Sequence, residues 1–319
     1  SYYFTEYGDL PEDLVWASFS SFNASGIVCE LSIYDLKSGL IMHTYLQAGG
    51  CISVSPNNKY LICDNYLNNE LVLIELKNGT VLSRTAYNPA SLFNPQRLSI
   101  TNDGKTVFME ASTSIPLSTS PEEYRISIDN KSFRKLDKTY TRCEYNPLDN
   151  KMYMKRSGCV DVFDIANDVF CDSIPLEKMI DFASTAMIMD NYHVLSEFFW
   201  GGYGGRDNRI ILKRRNLFNG KTFETLTLSI PELNNALHTK AINFLMLPNS
   251  TRVAFLFKET NHYELNFWDL AEPGWHKNVV LEGSLDNTSF GEMKISRTGK
   301  KLIVSNIGAV AGTGPCLAV

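Results

Sequence analysis

The sequence predicts an all-β protein built from a repeated unit of four short antiparallel strands, and two recurring patterns predict it. The first pattern is a β-prone run that ends in an acidic or amide residue before a turn, as in SIYDLKSGL from Ser32 and NFWDLAEPG from Asn266. The second is a turn followed by an apolar run, as in SPNNKYLIC from Ser55 and SRTGKKLIV from Ser296. β-branched and aromatic residues favour strands, whereas Gly, Asn and Asp favour the turns between strands.

Both patterns return along the chain in a fixed order. The runs of the first pattern end at Asp35, Glu75, Asp129, Asp164, Asn216 and Asp269. The turns of the second begin at Ser55, Thr101, Asn146, Met189, Leu247 and Ser296. Their alternation gives strand, tight turn, strand, variable loop, strand, tight turn and strand. Such a unit of about 40 to 50 residues is typical of one blade of a β-propeller.

Counting these units predicts a seven-bladed β-propeller of four-stranded antiparallel blades. The blades are expected at about 1–47, 48–87, 88–138, 139–176, 177–228, 229–283 and 284–319, so that 1–319 forms a single domain. In the second blade we expect strands at Cys51–Val54, Lys59–Asp64, Glu70–Leu76 and Thr80–Thr85. The last blade is expected to be incomplete, because only the segments GEMKIS, KKLIVSN and PCLAV in it look like strands.

The N-terminal segment YYFTEY (Tyr2 to Tyr7) bears on how the ring closes. It can supply the missing outer strand of the last blade, or the chain can stop before that strand. We favour YYFTEY as the first strand of blade one, since VWASFSSF and CELSIYDL then follow in order. Because the chain begins with Ser rather than Met, we expect a monomeric domain within a larger chain or complex.

The recurring residues have a structural interpretation. We expect the acidic residue at the end of the third strand to accept hydrogen bonds that fix the turn after it. The aromatic residue before it is expected to pack against the next blade. Both are therefore interpreted as folding devices rather than as catalytic groups.

Through the third-strand pattern and the S-P-N/D-G-K type of turn, nearly the whole chain resembles the WD40 and YVTN-type β-propeller families. A literal Trp-Asp stands at Trp268 and Asp269, and Tyr34-Asp35 and Phe163-Asp164 are near equivalents. The Gly-His dipeptide that opens many WD repeats is absent. The resemblance implies a non-enzymatic scaffold or sensor domain that binds a protein or peptide, because members of these families are mostly adaptors.

Charge and cysteine content narrow the partners and the compartment. A net charge of −5 and a pI near 5.6 give no general attraction to nucleic acid or anionic lipid. The one basic cluster, Lys213 to Arg215, lies in a predicted strand and is interpreted as a solvated strand face. No apolar run approaches the roughly 20 residues of a membrane span. Seven cysteines form an odd set without CxxC spacing, which indicates a reducing, cytoplasmic location.

Catalytic signatures are absent from the sequence. It contains no GxSxG, Walker A or kinase-type motif, and its five histidines show no HxH or HExxH spacing. We therefore predict no catalytic residue, no metal site and no cofactor. The alternative is a propeller enzyme or cofactor-bearing subunit with its site at the central channel.

Long connections predict where a partner binds. The Gly-rich WGGYGGRDNR from Trp200 to Arg209 and the insertion ASTSIPLSTSPEEY from Ala111 join second and third strands. The segments YNPASLFNPQ and SIPELNNALHTKA join successive blades and emerge on the same face, whereas the opposite face has tight turns. Loops on a rigid scaffold carry recognition, and Trp, Tyr and Arg dominate interaction hot spots. The predicted partner-binding residues are Trp200, Tyr203, Arg206, Arg209, Phe93 and His238. The alternative for WGGYGGRDNR is a hairpin tip without a binding role.

Overall fold

The structure is a computed structural model in which every regular element of the described residues is a β-strand. It describes residues 2–9, 14–23, 26–35, 37–38, 40–46, 51–65, 68–87, 94–112, 122–138, 140–178, 183–189, 192–200, 209–229, 241–247, 250–258, 262–272, 274–281, 290–295, 302–306 and 317–318. The chain divides into two compact units, Ser1–Pro175 and Leu176–Val319.

Four sheets lie in the first unit, and each consists of four consecutive antiparallel strands. The first sheet contains β1 (Tyr2–Asp9), β2 (Leu14–Asn23), β3 (Gly26–Asp35) and β4 (Ile41–Leu46). The second contains β5 (Ile52–Val54), β6 (Tyr60–Asn65), β7 (Glu70–Glu75) and β8 (Thr80–Ala86). The third contains β9 (Asn94–Ile100), β10 (Thr106–Ser112), β11 (Glu122–Ser127) and β12 (Ser132–Lys135). The fourth contains β13 (Arg142–Asn146), β14 (Lys151–Arg156), β15 (Cys159–Asp164) and β16 (Val169–Pro175).

Three sheets lie in the second unit. The fifth contains β17 (Ala183–Met189), β18 (Val194–Trp200), β19 (Arg209–Asn216) and β20 (Thr222–Ser229). The sixth contains β21 (Ala241–Met246), β22 (Arg252–Lys258), β23 (Tyr263–Asp269) and β24 (His276–Leu281). The last contains β25 (Phe290–Ile295), β26 (Leu302–Asn306) and β27 (Leu317–Ala318). We call the end of a sheet where its second and third strands are joined the loop end, and the opposite end the turn end.

The structure corrects the predicted number of seven blades, of which the last was expected to be incomplete. Six sheets are complete four-stranded blades, whereas the sheet β25–β26–β27 has three strands within the described residues. Its last strand spans only two residues, Leu317 and Ala318, and pairs with β26 over that length. A strand this short forms few ladder hydrogen bonds, so this sheet falls short of a seventh complete blade.

The favoured placement of the N-terminal segment is confirmed. Strand β1 pairs antiparallel with β2, from Tyr2 opposite Ser21 to Asp9 opposite Val15. The segment YYFTEY is therefore the first strand of the first sheet, and the alternative in which it completes the last blade is wrong.

The tight turns have the chemistry that the sequence predicts. Asp35 Oδ1 accepts the amide of Lys37 at 2.9 Å, and Asp164 Oδ1 accepts the amide of Asn167 at 3.0 Å. Asn216 and Asp269 accept amides in their turns in the same way. The predicted role of these residues in fixing the turn is thus confirmed for four of the six repeats. Their carboxyl and amide oxygens are used within their own turns.

Apolar layers join consecutive sheets within each unit. On β10, Val107 and Met109 face the second sheet, whereas Phe108 faces the fourth, because successive strand residues point to opposite faces. The layer between the third and fourth sheets contains Phe108, Leu136, Tyr140, Tyr145, Met152, Met154, Phe163 and Ile165. At the loop end this apolar layer gives way to polar side chains.

The aromatic residues before the strand-end aspartates pack in the direction opposite to the prediction. Phe163 of the fourth sheet meets Phe108 of the third edge-to-face, with ring centroids 5.7 Å apart. Trp268 of the sixth sheet packs on the cluster that this sheet shares with the fifth. Phe163 and Trp268 therefore both pack toward the preceding sheet, because the residue before the aspartate in the third strand points to the face that this preceding sheet covers.

Candidate functional site

The predicted partner-binding residues fall partly within the described chain. Trp200 ends β18 and lies opposite Ile210 in the ladder, next to Arg209 at the start of β19. Both therefore lie at the loop end of the fifth sheet, and the Arg209 side chain is exposed. Phe93, Tyr203, Arg206 and His238 lie outside the described residues.

The basic cluster lies within β19, as predicted, but it does not form the predicted solvated strand face: its three side chains are 11–22% exposed, and each faces a carboxylate. Lys213 pairs with Glu177, and Arg214 Nη1 lies 3.1 Å from Glu224. Arg215 Nε lies 2.9 Å from Glu197 Oε2, and both of these side chains are largely buried. The positive charge of this strand is thus balanced locally, so it forms no anion-binding patch.

A set of polar side chains that the sequence analysis did not single out lies between the third and fourth sheets, near their loop ends. We call it the carboxyl cluster: Arg97 of β9, Glu110 of β10, Glu123 of β11 and Cys143 of β13. Glu110 stands directly opposite both Arg97 and Glu123 in the ladders. Directly opposed strand residues have Cβ atoms about 4.5–5.5 Å apart, so the three side chains form a row on one sheet face.

The two carboxyl groups of this cluster are buried, whereas its arginine is not. Glu123 is 2% exposed and Glu110 is 8% exposed. The Arg97 side chain is 59% exposed, and its Nη1 lies 3.6 Å from Oε2 of Glu110. The same Nη1 donates to the carbonyl oxygen of Thr141, just before β13. Arg97 therefore links the third sheet to the fourth from the solvent side of the cluster.

Burial controls the proton affinity of these groups. It raises the pKa of Glu123 to about 8; a hydrogen bond with Cys143 opposes this rise, and the charge of Glu110 adds to it. Burial also raises the pKa of Glu110, against the opposing charge of Arg97. At neutral pH the Glu123 carboxyl therefore holds a proton for most of the time.

The Cys143 thiol is not an activated nucleophile. Burial and the neighbouring Glu123 raise its pKa well above the ordinary value. Because the thiolate is the reactive form, a thiol that stays protonated gives poor nucleophilic catalysis. The raised pKa values of Glu123 and Cys143 thus fit a binding site or a protonated structural pair better than a catalytic dyad.

A second carboxylate near this interface has its full set of partners. Asp161 is 2% exposed and accepts hydrogen bonds at 2.8 Å from Lys138 Nζ, Arg156 Nε and Ser173 Oγ. Burial alone raises its pKa, but these donors together hold it well below the usual range. Asp161 is therefore an ionised structural anchor that fixes the connection between the third and fourth sheets.

The described residues contain neither a metal-ligand group nor a membrane-spanning helix. Among the residues with described positions, no group of three or more His, Cys, Asp or Glu side chains is placed to hold a metal ion. The described part of the chain also contains no helix with the length and hydrophobicity that crossing a membrane requires.

The sequence carried one signal for the carboxyl cluster. In TVFMEAS, Glu110 follows Phe108 by two residues, so alternation places it on the same face as a core phenylalanine. An acidic residue on the buried face of a strand is unusual unless it is paired. The opposing Glu123 and the contribution of Cys143 depend on strand register and on packing of the next sheet.

Comparisons with known proteins identify the fold. No protein-family model and no curated protein sequence matches the chain. The β-propeller domain of Cps50 (Swd1) from Myceliophteria thermophila is 11% identical, with a TM-score of 0.59 and coverage of 100% of this chain and 97% of that one. KlHsv2 with loop 6CD replaced by a Gly-Ser linker is 12% identical, with a TM-score of 0.59 and coverage of 96% and 90%.

An enzyme is among the structures with a similar fold. Pyrococcus horikoshii acylaminoacyl peptidase is 11% identical, with a TM-score of 0.61, and the match covers 99% of this chain and 51% of that one. At these identities the similarities show the fold alone: the chain has a β-propeller fold. Since a peptidase shares it, the fold by itself does not separate binding from catalysis.

Proposed function

We propose that the chain is a non-enzymatic, WD40-like interaction domain that binds a protein or peptide at the loop ends of its sheets. One observation carries this proposal. Four of the six turn-end residues use their oxygens within their own turns, as Asp35 and Asp164 do, whereas the loop end of the third sheet holds a buried carboxyl oxygen of Glu123 without a hydrogen-bond partner among the described residues. Unused hydrogen-bonding capacity near a surface favours a bound partner.

The predicted residues of the fifth sheet belong to the same proposal. Trp200 and Arg209 flank residues 201–208 at a loop end, and we include Tyr203, Arg206, Phe93 and His238 as expected contacts. Large aromatic and arginine side chains supply most of the energy at protein interfaces. Each unit is proposed to offer its own loop-end surface.

Further features support a non-enzymatic scaffold in a reducing compartment. Five cysteines, namely Cys51, Cys63, Cys143, Cys159 and Cys171, carry free thiols, which supports a cytoplasmic location. Neither the carboxyl cluster nor Asp161 offers an activated nucleophile, so these groups do not support the alternative of a propeller enzyme.

Site-specific photo-crosslinking in cells tests the proposal. A photoreactive phenylalanine analogue replaces Arg97 or Arg209 at the loop ends, and in matched controls it replaces the exposed turn-end residues Lys77 or Lys221. We expect a discrete crosslinked protein or peptide from the loop-end positions alone. Crosslinks that form equally from the turn ends, or none from either loop end in a folded protein, would refute the proposed surface.

The tryptophan-containing loop is tested separately. Simultaneous replacement of Trp200, Tyr203 and Arg206 by Ala is expected to leave the melting temperature nearly unchanged and to abolish the crosslink from Arg209. An undiminished crosslink would remove this loop from the interface.

A further inference from the structure

Glu123 has a buried carboxyl oxygen whose hydrogen-bonding capacity is unused. Its Oε2 has no hydrogen-bond partner among the described residues, although the residue is only 2% exposed. Buried polar atoms in native proteins are nearly always paired, so an unpaired one calls for an explanation. A bound group that donates to this oxygen when a partner is present supplies that explanation.

The groups around Glu123 define the charge of that bound group. Glu110 faces it from β10, Arg97 lies beyond Glu110 on β9, and Cys143 packs on it from β13. Glu122 and Lys135 pair with each other on the opposite face of the sheet and do not balance this charge. When both carboxyl groups are ionised, the cluster therefore holds two negative charges against the single positive charge of Arg97.

Arg97 is a weak occupant of the cluster. Its side chain is 59% exposed, and its contact with Glu110 at 3.6 Å is longer than a hydrogen bond. Its Nη1 also donates to the Thr141 carbonyl, so the same nitrogen interacts with both the Thr141 oxygen and the Glu110 carboxylate. Exposed ion pairs of this kind contribute little stability, and the arginine side chain can turn toward solvent without disrupting the sheet.

The geometry favours a guanidinium group over an ammonium group. A guanidinium presents five N–H donors in a planar fork, which can span neighbouring carboxyl oxygens. An ammonium group is a compact point charge that is more strongly hydrated and loses more on burial. The row of Glu110 and Glu123, with their Cβ atoms about 5 Å apart, suits the wider planar group.

We infer that Glu110 and Glu123 form a binding site for the guanidinium group of an arginine side chain presented by a protein or peptide partner, with Arg97 moving aside as it binds. The inference rests on the proposed function in that the partner approaches the loop end. It adds the chemical class that the surface recognises.

Proton release accompanies this binding. Because the pKa of Glu123 in the free protein is about 8, the carboxyl is about one-tenth ionised at pH 7 and about nine-tenths ionised at pH 9. A guanidinium binds the ionised form, so its affinity is expected to rise about tenfold between these two pH values. Close to one proton is released per arginine bound at pH 7.

Calorimetric titration of the whole chain with Nα-acetyl-L-arginine amide tests the inference without any unidentified partner. We expect saturable binding that is about tenfold tighter at pH 9 than at pH 7, with Nα-acetyl-L-lysine amide at least about tenfold weaker than the arginine probe. Lysine binding of equal strength, or displacement of the arginine probe by millimolar calcium chloride, would overturn the guanidinium assignment. Absence of saturable arginine binding at pH 9 would overturn the site itself.

Variants locate the binding. Glu123→Gln keeps the size of the side chain and is expected to weaken arginine binding at least tenfold at pH 9 and to remove its pH dependence. Glu122→Gln, which alters the neighbouring residue on the opposite face, is expected to leave both unchanged. Arg97→Ala removes the competing cation and is expected to tighten binding about threefold, which gives a second test if the Glu123 variant does not fold. Unchanged binding in Glu123→Gln and Arg97→Ala refutes the location.

Failure of this inference is distinguishable from failure of the proposed function. Loop-end crosslinks without arginine binding leave the interaction surface intact and reject only its chemistry. Arginine binding without loop-end crosslinks rejects the proposed partner surface.

Discussion

The buried carboxyl of Glu123 makes the stability of the protein depend on pH in a defined window. Its pKa is 4.5 in an unstructured chain and about 8 in the folded protein. Between these values the folded chain holds a proton that the unfolded chain has released, so stability falls as the pH rises. The favourable protonated state is fully populated below pH 4.5, and its contribution is lost by the time the pH has passed 8.

The magnitude follows from the two pKa values. The difference between 4.5 and about 8, at about 1.4 kcal/mol for each tenfold change in proton affinity, corresponds to about 5 kcal/mol. Because Glu123 is 2% exposed, solvent screening reduces this value little. With an unfolding entropy of about 2.1 cal/mol/K per residue over 319 residues, the change is equivalent to about 7 °C in melting temperature.

Glu123→Gln isolates this contribution, because glutamine has the size of the protonated acid and does not titrate. Thermal melts of wild type and variant at intervals from pH 5 to pH 9 are the measurement. We expect the wild type to lose about 6 °C of this total relative to the variant between pH 5 and pH 9, while Glu122→Gln parallels the wild type because the pKa of Glu122 is lowered by Lys135. Parallel profiles for wild type and Glu123→Gln would refute the assignment of a buried, protonated carboxyl.

Two further predictions concern the anchors of the fold. Asp161→Asn is expected to lower the free energy of unfolding by about 2–3 kcal/mol at pH 7 in urea unfolding. Asp172→Asn, at an exposed position, is expected to have little effect. Because the pKa of Asp161 is lowered in the folded protein, its contribution to stability is present above pH 3.8 and is lost as the pH falls below that value. Gly104→Ala is expected to lower the free energy of unfolding by more than Gly220→Ala does. Both glycines have positive φ, so that alanine at either position costs about 1–2 kcal/mol for a left-handed backbone. A Cβ on Gly104 would also lie 3.1 Å from the Tyr60 ring, whereas a Cβ on Gly220 would meet no atom within 4 Å. Equal losses in either pair would contradict these roles.

Local sequence patterns predicted the strands and turns well, because both are determined by neighbouring residues. In the second sheet the expected strands differ from the observed ones by one residue at most at each end. The hydrogen bonds of Asp35 and Asp164 were also predictable, since an aspartate accepts amides two or three residues ahead in a turn.

Properties that depend on neighbouring sheets were predicted less well. The aromatic residues Phe163 and Trp268 pack on the preceding sheet rather than the next. Alternation along a strand shows that two residues share a face, but it does not show which sheet lies over that face. The predicted number of seven blades was wrong for a similar reason, because the last sheet depends on pairing between β26 and the distant Leu317 and Ala318.

The repeat pattern does not indicate the carboxyl cluster, because a repeat identifies only the residues that recur. The recurring residues stabilise a tight turn that the sheets have in common. Glu110 and Glu123 occur in one sheet, and their burial depends on β13, which carries Cys143. A residue that departs from the repeat at a buried strand position is therefore a better candidate for a specific function than one that conforms to it.

The buried carboxyl groups near the loop ends differ in whether the protein supplies hydrogen-bond donors to them, and this difference distinguishes the structural carboxyl groups from the proposed binding group. Asp64 in the second sheet accepts the Cys51 amide at 2.7 Å, and Asp161 in the fourth is held by two cations and a hydroxyl. Both are buried, and both have donors that the fold itself provides. Of these three, Glu123 is the one with a buried oxygen that no described residue reaches. The fold supplies hydrogen-bond donors to Asp64 and Asp161 but leaves an oxygen of Glu123 without one. We therefore expect a partner to bind at Glu123.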